Sequence, residues 1–242
     1  MSVGTIYGVG LGPGDPELMS VRADRLVRGA FHLAFFRKAG LTGKARSIVS
    51  GMLRADVREF PMDYPVTTEI PFDDPRYNAA LADFYAGATA HLRTLAEAGE
   101  DVVVLCEGDP FFYGSFMHLH IRLKGHVPVE VVPAITGMSA AWTASGAPIA
   151  WGDDALTVLA GTMPEDELTR RMAGADALVV MKIGRNLSCV RRALESAGKA
   201  ERAMLVEYAS MAEERVRPLA EVEGTSAPYF SIVIVHGQGR RP

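Results

Sequence analysis

The stretch IYGVGLGPGDPEL, residues 6–18, decides how the rest of this 242-residue chain is read. Four glycines alternate from Gly8 to Gly14 behind an apolar run, and Pro16 and an amphipathic run from Leu18 to Val27 follow. Strand, glycine loop and helix in that order are the opening of a parallel α/β sheet with a ligand loop at the strand's carboxyl end. The dinucleotide fingerprint needs G-x-G-x-x-G, and the sixth position falls on Pro13 counted from Gly8 and on Asp15 counted from Gly10. No Lys-Ser or Lys-Thr pair follows the glycines, so the triphosphate loop fails as well. The loop closes on an acid that would repel a pyrophosphate. Its ligand is therefore expected to be something other than a phosphate.

Outward from this stretch, strands and helices alternate. Strands are expected at 5–10, 31–36, 57–60, 102–106 and 129–132, with helices at 18–28, 45–53, 76–98 and 136–144. Asp73-Asp74-Pro75 offers a helix cap followed by proline in the first turn, after a loop of four prolines from Pro61 to Pro75. The continuous apolar run 102–106 fits a central parallel strand covered on both faces. After APIAWGDD, residues 147–154, the pattern restarts with strands at 156–159, 177–181 and 203–208 and helices at 165–172 and 187–197. A last strand at 229–235 has no helix behind it. The expected architecture is two α/β domains, 1–133 and 134–242, with mainly parallel sheets and a ligand cleft between them.

Bulk properties narrow the partners. The composition is 48% hydrophobic and 22% charged with a net charge of −4, which disfavours nucleic acid, since phosphate contacts need concentrated Lys and Arg. Two cysteines, Cys106 and Cys189, give no disulfide framework. No basic leader with an apolar core opens the chain, and no apolar run reaches the roughly 20 residues of a membrane span. The cytoplasm is the expected compartment.

A second loop echoes the first: EGDPFFYGSF, residues 107–116, follows the strand at 102–106, again placing Gly-Asp-Pro at a strand end. Both tripeptides are also ordinary turn chemistry. Gly108 would let a ligand approach the backbone, and the Asp109 carboxylate would accept hydroxyls or face a positive centre. Asp15, ahead of a helix, suits a cap as well as it suits a base. RKAGLTGKAR, residues 37–46, places Arg37, Lys38, Lys44 and Arg46 within ten positions, either as a solvated loop or as a patch for an anionic ligand. His118 and His120 are two apart and cannot form the i, i+4 metal pair of a helix; no metal is expected. FMHLHIRL, residues 116–123, fits a strand or a helix by periodicity.

Taken together, GVGLGPGDPEL (8–18), GDPFFYG (108–114), VVPAITGMSAA (131–141) and ALVVMKIGRN (177–186) resemble, in order and spacing, the tetrapyrrole (corrin and porphyrin) methyltransferases, the class III S-adenosylmethionine-dependent enzymes. The similarity covers essentially the whole chain. FPMDYPVTTEIPFDDPRYNAAL (60–81) and FYGSFMHLHIRL (112–123) resemble the branch that methylates precorrin-2 at C-20 on the aerobic route to cobalamin. The resemblance implies a homodimer, a helix at 116–123, and S-adenosylmethionine folded between the two domains. Its implied cofactor contacts are Pro13, Gly108, Asp109, Phe112, Thr136, Gly137, Lys182 and Ala209. It implies a tetrapyrrole-facing glycine loop with Gly10 and Gly12, Asp15 as a catalytic base, and Arg37, Lys44 and Arg46 on the substrate's carboxylates. Two positions depart from the family pattern: many relatives have Met-Gly where this chain has Met181-Lys182, and a second glycine where it has Glu107.

Overall fold

A computed structural model describes residues 2–66 and 74–241. The chain divides into two compact units, Met1–Thr136 and Gly137–Pro242, and each has its own sheet.

The first unit holds β1 (Ile6–Gly10), α1 (Val21–Gly29), β2 (His32–Lys38), α2 (Lys44–Ile48), β3 (Arg58–Tyr64), α3 (Pro75–Glu97), β4 (Val102–Cys106), α4 (Phe116–Leu123) and β5 (Val129–Val132). The sheet runs β3-β2-β4-β1-β5 and every pairing is parallel. Alternation along β4 divides the core in two. Val103 and Leu105 join Val9, Leu33, Phe35, Ala23, Val27 and Ala45 under α1 and α2. Val102, Val104 and Cys106 join Leu92, Ala96, Phe116 and Leu119 under α3 and α4. β4 is buried from end to end, as its unbroken apolar run requires.

Local chemistry sets the element ends. Ser20 caps α1 by accepting the Ala23 amide at 3.1 Å, so Asp15 is left to cap the separate 3-10 turn Pro16–Leu18. The helix expected at 18–28 is thus a short turn followed by α1. Asp74 caps α3 by accepting the Arg76 amide at 2.8 Å, with Pro75 in the first turn as expected; Asp73 lies outside the described residues. β3 extends to Tyr64, past the expected end at 60 and through Pro61. It is an edge strand, where a missing N–H costs no ladder bond. FMHLHIRL is a helix, α4, with Phe116, Leu119 and Leu123 buried.

The second unit holds α5 (Gly137–Ala144), β6 (Leu156–Ala160), α6 (Glu165–Ala173), β7 (Ala177–Met181), α7 (Leu187–Ser196), β8 (Ala203–Glu207), β9 (Arg215–Pro218) and β10 (Ser231–Val235). Its sheet order is β6-β7-β10-β8-β9. β6 and β7 are parallel, but β10 runs antiparallel between β7 and β8, and β9 pairs antiparallel with β8. The mainly parallel expectation holds for the chain as a whole, while this sheet is mixed. α6 and α7 cover one face through Leu168, Met172, Val190 and Leu194. α5 covers the other, where Ala141 packs on Val179, Val206, Ile232 and Ile234.

Candidate functional site

In a parallel sheet all carboxyl ends lie at one edge, and in the first unit the loops leaving β1, β4 and β5 meet there. The Leu11 amide donates to the Cys106 carbonyl at 2.9 Å, and the Gly108 amide donates to the Gly12 carbonyl at 2.9 Å. The first glycine loop and the second Gly-Asp-Pro loop are therefore joined main chain to main chain.

The alternate glycines have separate reasons. A Cβ at Gly8 would lie 2.2 Å from the Phe116 ring, so this glycine makes room for the largest fully buried side chain of the unit. A Cβ at Gly10 would meet the Ala134 Cβ at 2.6 Å and the Gly108 carbonyl at 2.8 Å. Gly10 thus lets the three loops close on one another. Gly12 and Gly14, on either side of Pro13, have φ of 80° and 150°. Gly108 differs from Gly8 and Gly10: its φ is 63°, and nothing stands within 4 Å of the place where a Cβ would be. Backbone conformation, not crowding, requires glycine there, and the open side leaves the main chain approachable.

Asp109 organises this cluster. Its Oδ1 accepts the Phe111 amide at 2.9 Å, and its Oδ2 accepts the Ala134 amide at 2.9 Å. One carboxylate folds its own loop and tethers the segment that leads through Ile135 to Thr136. Each oxygen has a second lone pair, so the group can still accept a ligand hydroxyl. Phe112 donates its amide to the Asp109 carbonyl at 3.2 Å, and its ring lies 4.9 Å from that of Tyr113. Asp15 sits further along the first loop, where its Oδ1 accepts the Glu17 amide at 2.8 Å.

In the basic stretch, Arg37 and Arg46 are held by carboxylates of β3. Arg37 Nε donates to Asp63 Oδ1 at 2.6 Å, and Arg46 grips Glu59 with bonds of 2.7 and 2.9 Å. These pairs join β2 and α2 to β3. The Arg46 guanidinium holds the Glu59 carboxyl below its usual range, and each arginine is raised by its partner. The expected patch of four cations is therefore partly neutralised by the protein's own edge strand. At the end of β4, Glu107 Oε1 accepts the Ala45 amide at 3.1 Å. Burial raises this carboxyl's proton affinity, opposed by that amide and by the Lys44 charge. Burial also raises the Cys106 thiol, which leaves it inert.

Strain marks the strand ends. Among the described residues, four non-glycines have positive φ: Tyr113 (57°), Lys182 (56°), Tyr208 (51°) and Ser210 (66°). All four lie in segments leaving the carboxyl ends of β4, β7 or β8. Left-handed backbone costs a non-glycine residue roughly 1–2 kcal/mol, and such positions cluster where ligands bind. Tyr208 and Ser210 flank Ala209, which, like Met181, Met138 and Trp142, packs against the cluster of Ala141, Val179, Val206, Ile232 and Ile234 at the α5 face of the sheet. Gly137 opens α5, with the Ile232 side chain 3.6 Å from where its Cβ would be. Tyr208 and Ser210 gave no sequence signal, because neither residue type favours left-handed backbone. The histidines are ring-packing residues: His118 stacks on Tyr85 at 4.5 Å and His120 meets Phe111 edge-on at 4.7 Å.

In the first unit this arrangement suits a ligand with hydroxyls: an approachable glycine backbone and a carboxylate with spare lone pairs. Comparison with known proteins gives a consistent picture. The sequence model of the family Tetrapyrrole (Corrin/Porphyrin) Methylases matches residues 5–223. A precorrin-2 C(20)-methyltransferase of Sinorhizobium sp is 49% identical over 242 residues, covering 100% of this chain and 99% of that protein. A cobalt-precorrin-2 C(20)-methyltransferase of Salmonella typhimurium is 29% identical over 240 residues, 97% of each. Among solved structures, the uroporphyrin-III C-methyltransferase of Thermus thermophilus complexed with S-adenyl homocysteine superposes with a TM-score of 0.68 at 25% identity, covering 96% of this chain and 92% of that one.

Proposed function

The chain belongs to the tetrapyrrole (corrin/porphyrin) methylases, and from that premise we propose that it transfers a methyl group from S-adenosylmethionine to C-20 of precorrin-2 in cobalamin synthesis. The observation that carries this reading is the 49% identity to the Sinorhizobium enzyme across the whole of both chains. The cobalt-precorrin-2 relative stands at 29%, which favours the metal-free ring as substrate.

When bound, the cofactor supplies a methyl group on a positive sulfur. The chain's part is to bind, to align and to remove a proton. Gly108 presents open backbone and Asp109 retains acceptor capacity for ribose hydroxyls; Pro13, Phe112, Thr136, Gly137, Lys182 and Ala209 complete the proposed cofactor set. Gly10 and Gly12 keep the first loop thin on the proposed tetrapyrrole side. Lys44, Arg37 and Arg46 face the substrate's carboxylates in this reading. The residues of the cofactor set would hold the cofactor so that its methyl group could pass to C-20, leaving S-adenosylhomocysteine as the other product. The hydrogen on C-20 then leaves as a proton, for which Asp15 is the proposed acceptor. Alignment of the two reactants can lower the barrier by roughly 7–11 kcal/mol. A domain boundary at 133, a homodimer and a cytoplasmic location belong to the same proposal. Among the described residues no helix is long and apolar enough to cross a membrane.

S-adenosylhomocysteine binding tests the cofactor assignment. At a hundredfold excess over its Kd the product should stabilise the protein by about 2.7 kcal/mol, read as a rise in Tm. A flat titration at millimolar ligand contradicts the assignment.

A further inference from the structure

The α2 helix lacks a local cap. Its N-cap position is Gly43, which has no side chain to offer, and its φ is 84°. A Cβ there would meet the Phe36 carbonyl at 2.9 Å and the Arg37 Cβ at 3.0 Å, so a serine or aspartate cap does not fit. The first-turn amide of Ala45 is instead taken by Glu107, 62 residues away at the end of β4. Ala45 itself is buried with Phe35 and Leu105, so its amide has little access to water.

We propose that Glu107 is a positioning residue: its carboxylate caps α2 from the end of the central strand and so holds the Lys44 segment in register with the loop 107–114. This rests on the proposed function, in which Lys44 meets the tetrapyrrole and Gly108 and Asp109 meet the cofactor. The two sides of the link are unequal. The loop is fixed independently, by Gly108 on Gly12 and by Asp109 on Phe111 and Ala134. α2 has five residues, too few to hold a helix by its own hydrogen bonds. Loss of the link therefore loosens α2 and leaves the cofactor loop in place. Burial raises the Glu107 carboxyl, and the Ala45 amide and the Lys44 charge oppose that rise without reversing it.

Glu107→Ala and Glu107→Gln test this. The glutamine carbonyl can still accept the Ala45 amide, whereas alanine cannot. With precorrin-2 as substrate, Glu107→Ala should raise KM about fivefold, the factor that a lost cap of ordinary strength corresponds to. Its kcat and its Kd for S-adenosylhomocysteine should stay at wild-type values, and Glu107→Gln should restore KM. Hydrogen exchange supplies a readout that needs no turnover: the Ala45 amide should exchange about fivefold faster in Glu107→Ala, and at the wild-type rate in Glu107→Gln. Unchanged exchange at Ala45, or a Glu107→Gln variant as impaired as Glu107→Ala, overturns the inference. Wild-type protein that transfers no methyl group to precorrin-2 while showing the Ala45 exchange effect overturns the proposed function and leaves the cap standing.

Discussion

Asp15 and Asp109 follow glycines in identical Gly-Asp-Pro tripeptides, yet their carboxylates are engaged differently. Each accepts the amide two residues on, Glu17 for Asp15 and Phe111 for Asp109, and Asp109 also reaches 25 residues along the chain to the Ala134 amide. No reading of the tripeptide separates these outcomes, because the distinction depends on which strand lies alongside. The same limit applies to the glycine ladder. Its period was visible, but that Gly8 faces Phe116 and Gly10 faces Ala134 follows from packing between elements far apart in sequence. Asp15 is open to a sharp test. Asparagine keeps the acceptor that caps the 3-10 turn but cannot take a proton. If Asp15 removes the proton from C-20, Asp15→Asn should retain the wild-type Tm and lose roughly 10²–10⁴ in kcat. Wild-type kcat in a folded Asp15→Asn protein reduces Asp15 to a cap.

The elements themselves were largely legible, since apolar periodicity and capping residues are local signals. β4 read as a buried central strand, and α3 began at Asp74-Pro75 as its sequence requires. What escaped reading was edge structure. β9, RVRP, has two arginines and a terminal proline and no apolar run, the composition that protects an exposed edge. The basic stretch 37–46 read as a cluster of cations because pairing between strands is not a local signal: Glu59 lies on the expected part of β3 and Asp63 on its unexpected extension past 60. Lys44 and Arg46 both belong to the proposed tetrapyrrole side, and each is tested by its own variant. Lys44→Glu should lower kcat/KM for the tetrapyrrole and weaken its dependence on salt, because exposed charges steer anions over about 8 Å at physiological ionic strength. Arg46→Ala should cost stability of about 0.5–1 kcal/mol, the range of a partly screened ion pair. That cost has a pH signature. Glu59 has a lowered folded pKa, so the pair's contribution is complete above the ordinary glutamate pKa of about 4.3 and is lost as pH falls through the lowered value. The stability gap between wild type and Arg46→Ala should accordingly close in acid. A gap that stays constant from pH 7 into acid removes the Arg46–Glu59 pair as its cause.

Across the whole chain, two sheets of different character serve one family's chemistry. The first is wholly parallel, so its loops gather at one edge. The second admits β10 antiparallel between β7 and β8, with strained residues directly after both of those neighbours. The alternation of strands and helices made the α/β class readable. The antiparallel insertion was not, because a lone terminal strand carries no mark of its direction. Family membership was legible because four ordered motifs span the chain, whereas no single glycine loop would have established it. The central claim is methyl transfer to C-20 of precorrin-2, and one measurement addresses it directly: incubation with precorrin-2 and ¹³C-methyl S-adenosylmethionine, with mass spectrometry and NMR of the product. The expected product carries one labelled methyl group per ring, bonded to C-20, with an equal amount of S-adenosylhomocysteine released. Label at another ring position, or transfer to the cobalt-containing ring and not to precorrin-2, would contradict that claim.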